Sequence, residues 1–259
     1  MTRKLVMFDI DGTLLDHDKK LPASAKEAVQ SLKEAGHEVV IATGRAPYFI
    51  QEIREELGID SYICFNGQYV VKDNEVIYRN PIEKDFLIDL ANIAMPHEHP
   101  LVFMGEELMK STIDFHSEIA ESLATLQANI GPIEMNANYY NDTEIYQALL
   151  YCKVHEEALY REKFPNLHFI RWHEYAVDVL PLGGSKANGI AVFIEKTDFT
   201  KEQVYAFGDG LNDIEMLQYV GHGVAMGNAP DAVKKAARYV TKDVSEDGLA
   251  HGLEMVGLL

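Results

Sequence analysis

The sequence predicts an α/β protein built on a doubly wound parallel sheet, interrupted by an inserted α+β segment. Three observations predict it. Short, continuous apolar runs alternate with stretches of helical periodicity from residue 4 to residue 65. Those apolar runs end in small or acidic residues. A long middle stretch loses the pattern, which then returns after residue 183.

Residues 4–8 form the first run, apolar without alternation, as in a strand covered on both faces. Ala25, Ala28, Val29, Leu32 and Ala35 then recur at helical spacing, with Pro22 near the start and Gly36 at the end. Residues 38–42 are the second strand, Ala46 to Leu57 a helix stopped by Gly58, and residues 61–65 a third strand. Such β-α-β-α-β order makes a parallel sheet with right-handed crossovers. Residues 68–79 alternate about Asp73-Asn74 and predict a hairpin. From residue 84 to 182 the pattern is helical near 83–94 and 155–163, and strand-like at 101–104, 147–152, 167–172 and 176–180. This gives a core of residues 1–83 and 183–259 and an insert of residues 84–182. The core resumes with a helix after Ser185, a strand at 203–207, a helix from Leu211 and short strands near 223–226 and 238–241.

With 259 residues, 47% of them hydrophobic, the chain has enough apolar side chains for one large or two modest domains. Its net charge is −18, from 41 acidic against 23 basic residues, and the insert carries more than half of that excess. An acidic surface repels nucleic acid and anionic membranes, which excludes both as expected partners. Nor does it attract a phosphorylated substrate, so a local cationic site must do so. Cys64 and Cys152 sit in apolar runs with no metal or redox spacing. They read as buried reduced thiols, which fits a cytoplasmic setting. No run approaches the ~20 apolar residues of a membrane span, and the five-residue apolar stretch before Asp9 is too short for a signal peptide. Oligomeric state is not legible.

The most informative segment is Leu5-Val6-Met7-Phe8-Asp9-Ile10-Asp11-Gly12-Thr13. Asp9 and Asp11 share a face while the strand lasts, and Gly12 marks where the backbone turns. Two carboxylates crowded at a strand end need a compensating cation or a chemical purpose, and a hard divalent ion such as Mg²⁺ would supply the first. Three more motifs follow in order. Thr43-Gly44-Arg45 follows the run EVVIA, Lys186 follows Gly183-Gly184-Ser185, and Gly208-Asp209-Gly210-Leu211-Asn212-Asp213 follows VYAF. In an open parallel sheet, sites form beyond the C-terminal strand ends, and Asp9, Thr43 and Asp209 all fall there.

In these four ordered motifs the chain resembles the haloacid dehalogenase superfamily of phosphohydrolases. IEML after the last motif, and Gly227-Asn228-Ala229 beyond it, are similar to the Cof-type branch. The resemblance spans essentially the whole chain. It implies a Rossmann-like core, an inserted cap of the larger type, and a Mg²⁺-dependent phosphatase of small phosphorylated metabolites acting through an aspartyl-phosphate. Asp9 would be the nucleophile and Asp11 the general acid/base. Metal ligands would be Asp9, the backbone carbonyl of Asp11 and Asp209, with Asp213 acting through water or as an orienting group. Phosphate would be held by Thr43, the N–H of Gly44, Lys186, the N–H of Ile10 and the amide of Asn212. Aspartate at position 11, where the ion-pumping ATPases have threonine, points to a phosphatase or a phosphomutase. A regulatory protein that only binds a phosphometabolite is the third reading, which the intact nucleophile argues against.

Taken singly, these residues have plainer readings. Lys186 alone is a surface lysine at a helix start, and Arg45 fits such a position as well as it fits a site. His97-Glu98-His99 lacks the i, i+4 spacing of a helical zinc site and is read as structural. Residues 171–175 and Tyr139-Tyr140 are read first as parts of the insert's own structure. Among them, Arg171, Trp172 and His173 are also candidates for substrate contact.

Overall fold

A computed structural model of the chain describes residues 2–126 and 131–259; residues 127–130 of the insert lie outside the described residues. The chain divides into two compact units. One comprises Met1–Arg45, Ile50–Arg79 and Ser185–Leu259, the other Ala46–Phe49 and Asn80–Gly184.

In chain order the first part supplies β1 (Leu5–Phe8), α1 (Ala23–Glu34), β2 (Glu38–Ala42), α2 (Gln51–Leu57), β3 (Tyr62–Cys64), β4 (Tyr69–Lys72) and β5 (Glu75–Arg79). The helix expected over 46–57 is split. Pro47–Phe49 is a 3₁₀ turn, Ile50 leaves helical geometry at ψ 0°, and α2 then runs to Gly58 in the left-handed region. The hairpin turns at Asp73-Asn74, both at positive φ, the geometry of a two-residue turn between twisted strands.

The insert supplies α3 (Lys84–Ala94), β6 (Leu101–Met104), β7 (Met109–Ser111), α4 (Ser117–Ala124), β8 (Gln147–Tyr151), α5 (Glu157–Lys163), β9 (Leu167–Arg171) and β10 (Ala176–Pro181). Its strands form an antiparallel sheet in the order β7-β6-β8-β10-β9. Alternate residues Leu101, Phe103, Ala148, Leu150, Val177 and Val179 face one side, packing with Leu87, Leu90 and Tyr160 of α3 and α5. Ile82 joins this cluster and donates its N–H to Ile145 O at 2.7 Å, so this unit begins before residue 84. Leu182 N likewise bonds to Asn166 O, and Gly184 N to Pro181 O, carrying the unit past residue 182.

The chain then adds α6 (Lys186–Glu195), β11 (Val204–Gly208), α7 (Ile214–Tyr219), β12 (His222–Ala225), α8 (Asp231–Ala236), β13 (Tyr239–Val240) and α9 (Gly248–Met255). The first unit's sheet runs β13-β12-β11-β1-β2-β3-β4-β5, parallel from β13 to β3, with the β4–β5 hairpin antiparallel at one edge. β1 lies between β2 and β11, where the winding reverses. That reversal opens the crevice in which such sheets place their sites. Leu5, Met7, Val40, Ala42, Ile190, Phe193 and Ala206 are among the buried residues of its core. Fully burying one such large side chain contributes roughly 1.5–3 kcal/mol. Cys64 and Cys152 are free and buried. No helix among the described residues is long and apolar enough to cross a membrane.

Candidate active site

β1 ends at Phe8, so neither aspartate of the first motif lies in the strand. Asp9 carries the ladder one step further, its N–H donating to Phe207 O at 2.9 Å. The backbone then folds into a turn in which Gly12 N donates to Leu15 O, and Leu15 N to Ile10 O. Asp9 and Asp11 therefore diverge instead of sharing one strand face, a correction to the period-two reading. Gly12 sits at φ 74°, and a Cβ there would fall 2.3 Å from Asp209 Oδ2. The turn thus brings the first motif against the last.

Lys186 is the first residue of α6, whose N-terminus is capped by the Ser185 hydroxyl. It is fully buried, which overturns the surface reading. Its Nζ lies 2.6 Å from Asp9 Oδ1 and 2.6 Å from Asp213 Oδ1. Asp213 turns its other oxygen to the N–H groups of Asp209 and Gly210, at 2.9 and 2.8 Å. It thereby locks the loop that presents Asp209. Carboxylate oxygens of Asp9, Asp209 and Asp213 all come within 4.8 Å of one another, and no other such group of three or more metal-binding side chains forms among the described residues.

Three carboxylates thus crowd about one buried ammonium, which bonds two of them, Asp9 and Asp213. Burial pushes the Asp9 carboxyl up, and the carboxylates of Asp213, Asp209 and Asp11 add to that against the pull of Lys186. Asp209 is pushed up to about 6, by burial first and Asp213 next. Lys186 is held more basic than usual, because its two carboxylate partners outweigh its burial. An all-oxygen cluster with two formal negative charges left over matches a hard divalent cation in both donor type and charge.

Asp11 faces a different set of partners. Arg45 Nε lies 2.8 Å from its Oδ2 and Arg45 Nη2 2.7 Å from its Oδ1, while Lys19 Nζ reaches Oδ1 at 2.7 Å. Burial would raise this carboxyl, but the bonds and charges of Arg45 and Lys19 win and hold it below the usual range. Arg45 is itself buried, not a surface residue at a helix start. A guanidinium tolerates burial when a carboxylate pairs with it in this two-pronged way.

Thr43 and Gly44 follow β2. Thr43 is buried, its N–H donates to Ile63 O, and its Oγ1 accepts from Arg45 N at 3.1 Å. Beside Gly44 stands the Asn66 amide, which a Cβ on Gly44 would approach to 3.0 Å, and Asn66 Oδ1 accepts from Asn212 Nδ2 at 3.0 Å. Ile10 is buried at the turn after Asp9. The structure therefore gathers the four motifs at the C-terminal ends of β1, β2 and β11, in two neighbouring sets. Lys186, Asp9, Asp209 and Asp213 form one, and Asp11, Arg45 and Lys19 the other.

Sequence reasoning missed Lys19 and Asn66, and it gave Asn228 only as part of a family motif, with no role in the site. Asn66 had a readable signal, since Asn66-Gly67 follows β3 at the same sheet edge. Lys19 had none. Arg171, a candidate for substrate contact, is engaged within the insert: it bonds Glu157 and the carbonyls of Cys152, His173 and Glu174. His99 bonds Tyr160 at 2.6 Å and Glu156 at 3.3 Å.

A sequence model described as haloacid dehalogenase-like hydrolase matches residues 6–253. The chain is 47% identical, over 100% of both chains, to the putative phosphatase YkrA of Bacillus subtilis. It is 30% identical to the pyridoxal phosphate phosphatase YbhA of Escherichia coli, covering 96% of this chain and 97% of that one. Among solved structures, the HAD subclass IIB sugar phosphatase BT4131 superposes with a TM-score of 0.89 at 30% identity, covering 99% of this chain and 100% of that one.

Proposed function

This chain belongs to the haloacid dehalogenase-like hydrolase family and is a phosphatase, and we propose that it hydrolyses small phosphorylated metabolites with Mg²⁺ through an aspartyl-phosphate on Asp9. The observation that carries this reading is the buried Lys186–Asp9–Asp213 arrangement beside Asp209, two residues from a separately held Asp11.

Asp9, Asp209 and the Asp11 carbonyl would hold the cation, with Asp213 acting through water or orienting the loop of Asp209; bound Mg²⁺ would neutralise charge on the nucleophile and on phosphate oxygens. Asp9 attacks phosphorus with a carboxylate oxygen, and the bond from phosphorus to the leaving oxygen breaks. Asp11 gives that oxygen its proton. Asp11 then takes a proton from water as the water oxygen attacks phosphorus. The bond to Asp9 breaks, and inorganic phosphate leaves. Ionised and paired with Arg45, Asp11 is in the form that suits a base; to act as an acid it must carry a proton, which weakens that pairing. The transferring phosphoryl group is assigned to Thr43, the N–H groups of Gly44 and Ile10, the Asn212 amide and the Lys186 ammonium. Lys186 also holds Asp9 in place.

All of these residues bear on phosphate or cation, and none reads the organic part. We assign that task to the inserted unit. Substrates named for relatives, a sugar phosphate and pyridoxal phosphate, support a compact phosphorylated metabolite as the class. A panel of sugar phosphates, phosphorylated cofactors and nucleotides, assayed for phosphate release with Mg²⁺ and with EDTA, tests the reading. Release from at least one member, stopped by EDTA and restored by Mg²⁺, is expected. No release from any member, or release indifferent to chelation, would overturn it.

A further inference from the structure

Gly227-Asn228-Ala229 has no part in the reaction above, yet Asn228 reaches the acidic cluster. Its Nδ2 donates to the Gly12 carbonyl at 2.9 Å and to Asp209 Oδ2 at 3.1 Å, while its Oδ1 accepts from Val244 N at 3.0 Å. One amide therefore joins the turn after β1, the carboxylate after β11 and the turn after β13. The loop that carries it is tightly seated. Gly227 N donates to Lys242 O at 2.8 Å, and a Cβ on Gly227 would fall 2.3 Å from Asp243 N. Thr13 Oγ1 holds the other Asp209 oxygen at 3.0 Å.

The chemistry of these donors matters. Asp9 and Asp213 are served by an ammonium, which cancels charge. Asp209 is served by an amide and a hydroxyl, which fix its orientation and leave its charge to a cation. We propose that Asn228 is a positioning residue for Asp209, fixing that carboxylate against the Gly12 turn so that a divalent cation binds without first ordering it. This rests on reading Asp9, Asp209 and Asp213 as the cation site. Partners of metal ligands are typically worth 10–100-fold in metal affinity.

The test is calorimetric titration of the metal-free full chain with Mn²⁺. Asn228→Ala is expected to weaken Mn²⁺ binding about 10–100-fold. The Mg²⁺ concentration for half-maximal phosphatase activity should rise in step, while kcat at saturating Mg²⁺ largely returns. Asp243→Ala is the structural control. It removes the side chain that accepts from Ser245 N, loosening the same turn without touching the Asn228 amide. It should leave Mn²⁺ affinity at the wild-type value. Unchanged affinity in Asn228→Ala, or equal loss in Asp243→Ala, would overturn the proposal. Should the alanine variant fail to fold, Asn228→Ser carries the same expectation and the same refutation. Absence of Mn²⁺ binding by the wild-type chain would instead remove the cation site, and the proposal with it.

Discussion

Arg45 grips Asp11 with two nitrogens, Nε at 2.8 Å from one carboxylate oxygen and Nη2 at 2.7 Å from the other, from 34 positions along the chain. A lysine cannot reproduce that fork. Both Arg45→Lys and Arg45→Ala should misplace the carboxylate assigned to proton transfer, and a displacement of about 1 Å can cost ~10²-fold in rate. The loss should be larger for an alkyl phosphate, whose leaving oxygen needs a proton, than for p-nitrophenyl phosphate. Comparing kcat/KM for the two esters checks this, and equal losses would count against it.

Asp11→Asn should slow turnover by about 10²–10⁴-fold, the usual worth of a positioned acid/base. Here too the loss should shrink for the better leaving group, provided that formation of the phosphoenzyme is measured separately by rapid quench. A uniform loss across leaving groups would make Asp11 a structural residue.

Asp9 and Asp209 have carboxyl groups raised above their ordinary value of 3.8, Asp209 to about 6. The folded chain therefore binds these protons more tightly than the unfolded one. The Asp209 contribution to metal-free stability is complete below the ordinary carboxyl range and is lost as pH rises through about 6, and the Asp9 contribution has the same sign. A cation competes with the same protons. Mg²⁺ should thus raise Tm by more at about pH 7.5 than at about pH 5, with Ca²⁺ a poor substitute in turnover because it prefers more ligands and looser geometry. Melting curves with and without Mg²⁺ check this, and a shift independent of pH would refute it.

Much of this was legible in the sequence because the central strands of the first unit, β1, β2 and β11, are buried along nearly their whole length and lead directly into Asp9, Thr43 and Asp209. β1, β2 and β11 stood out as apolar runs, and Asp9, Thr43 and Asp209 stood out as their endings. Shorter elements did not. β7 has three residues, and α4 makes only two turns, with Ile119, Ser122 and Leu123 buried. α8 and α9 are similarly brief. The less visible parts of the site are those made by long-range pairing. Asn66 meets Asn212 across 146 positions and Asn228 meets Gly12 across 216, so local pattern carries no trace of either contact. Arg45 was visible as a residue but not as a partner, because only the turn after Asp9 brings Asp11 to it.

Attack of Asp9 on phosphorus is tested by phosphate release from p-nitrophenyl phosphate with Mg²⁺ by the wild-type chain and by Asp9→Asn, with circular dichroism confirming the fold of each. An amide cannot serve as this nucleophile, whereas asparagine has nearly the shape of aspartate and its Oδ1 can still accept from Lys186 Nζ, so the fold should stay intact. Turnover is expected of the wild type and, in the folded variant, a rate below about one-hundredth of it. A folded Asp9→Asn variant retaining more than about a tenth of wild-type kcat would contradict it.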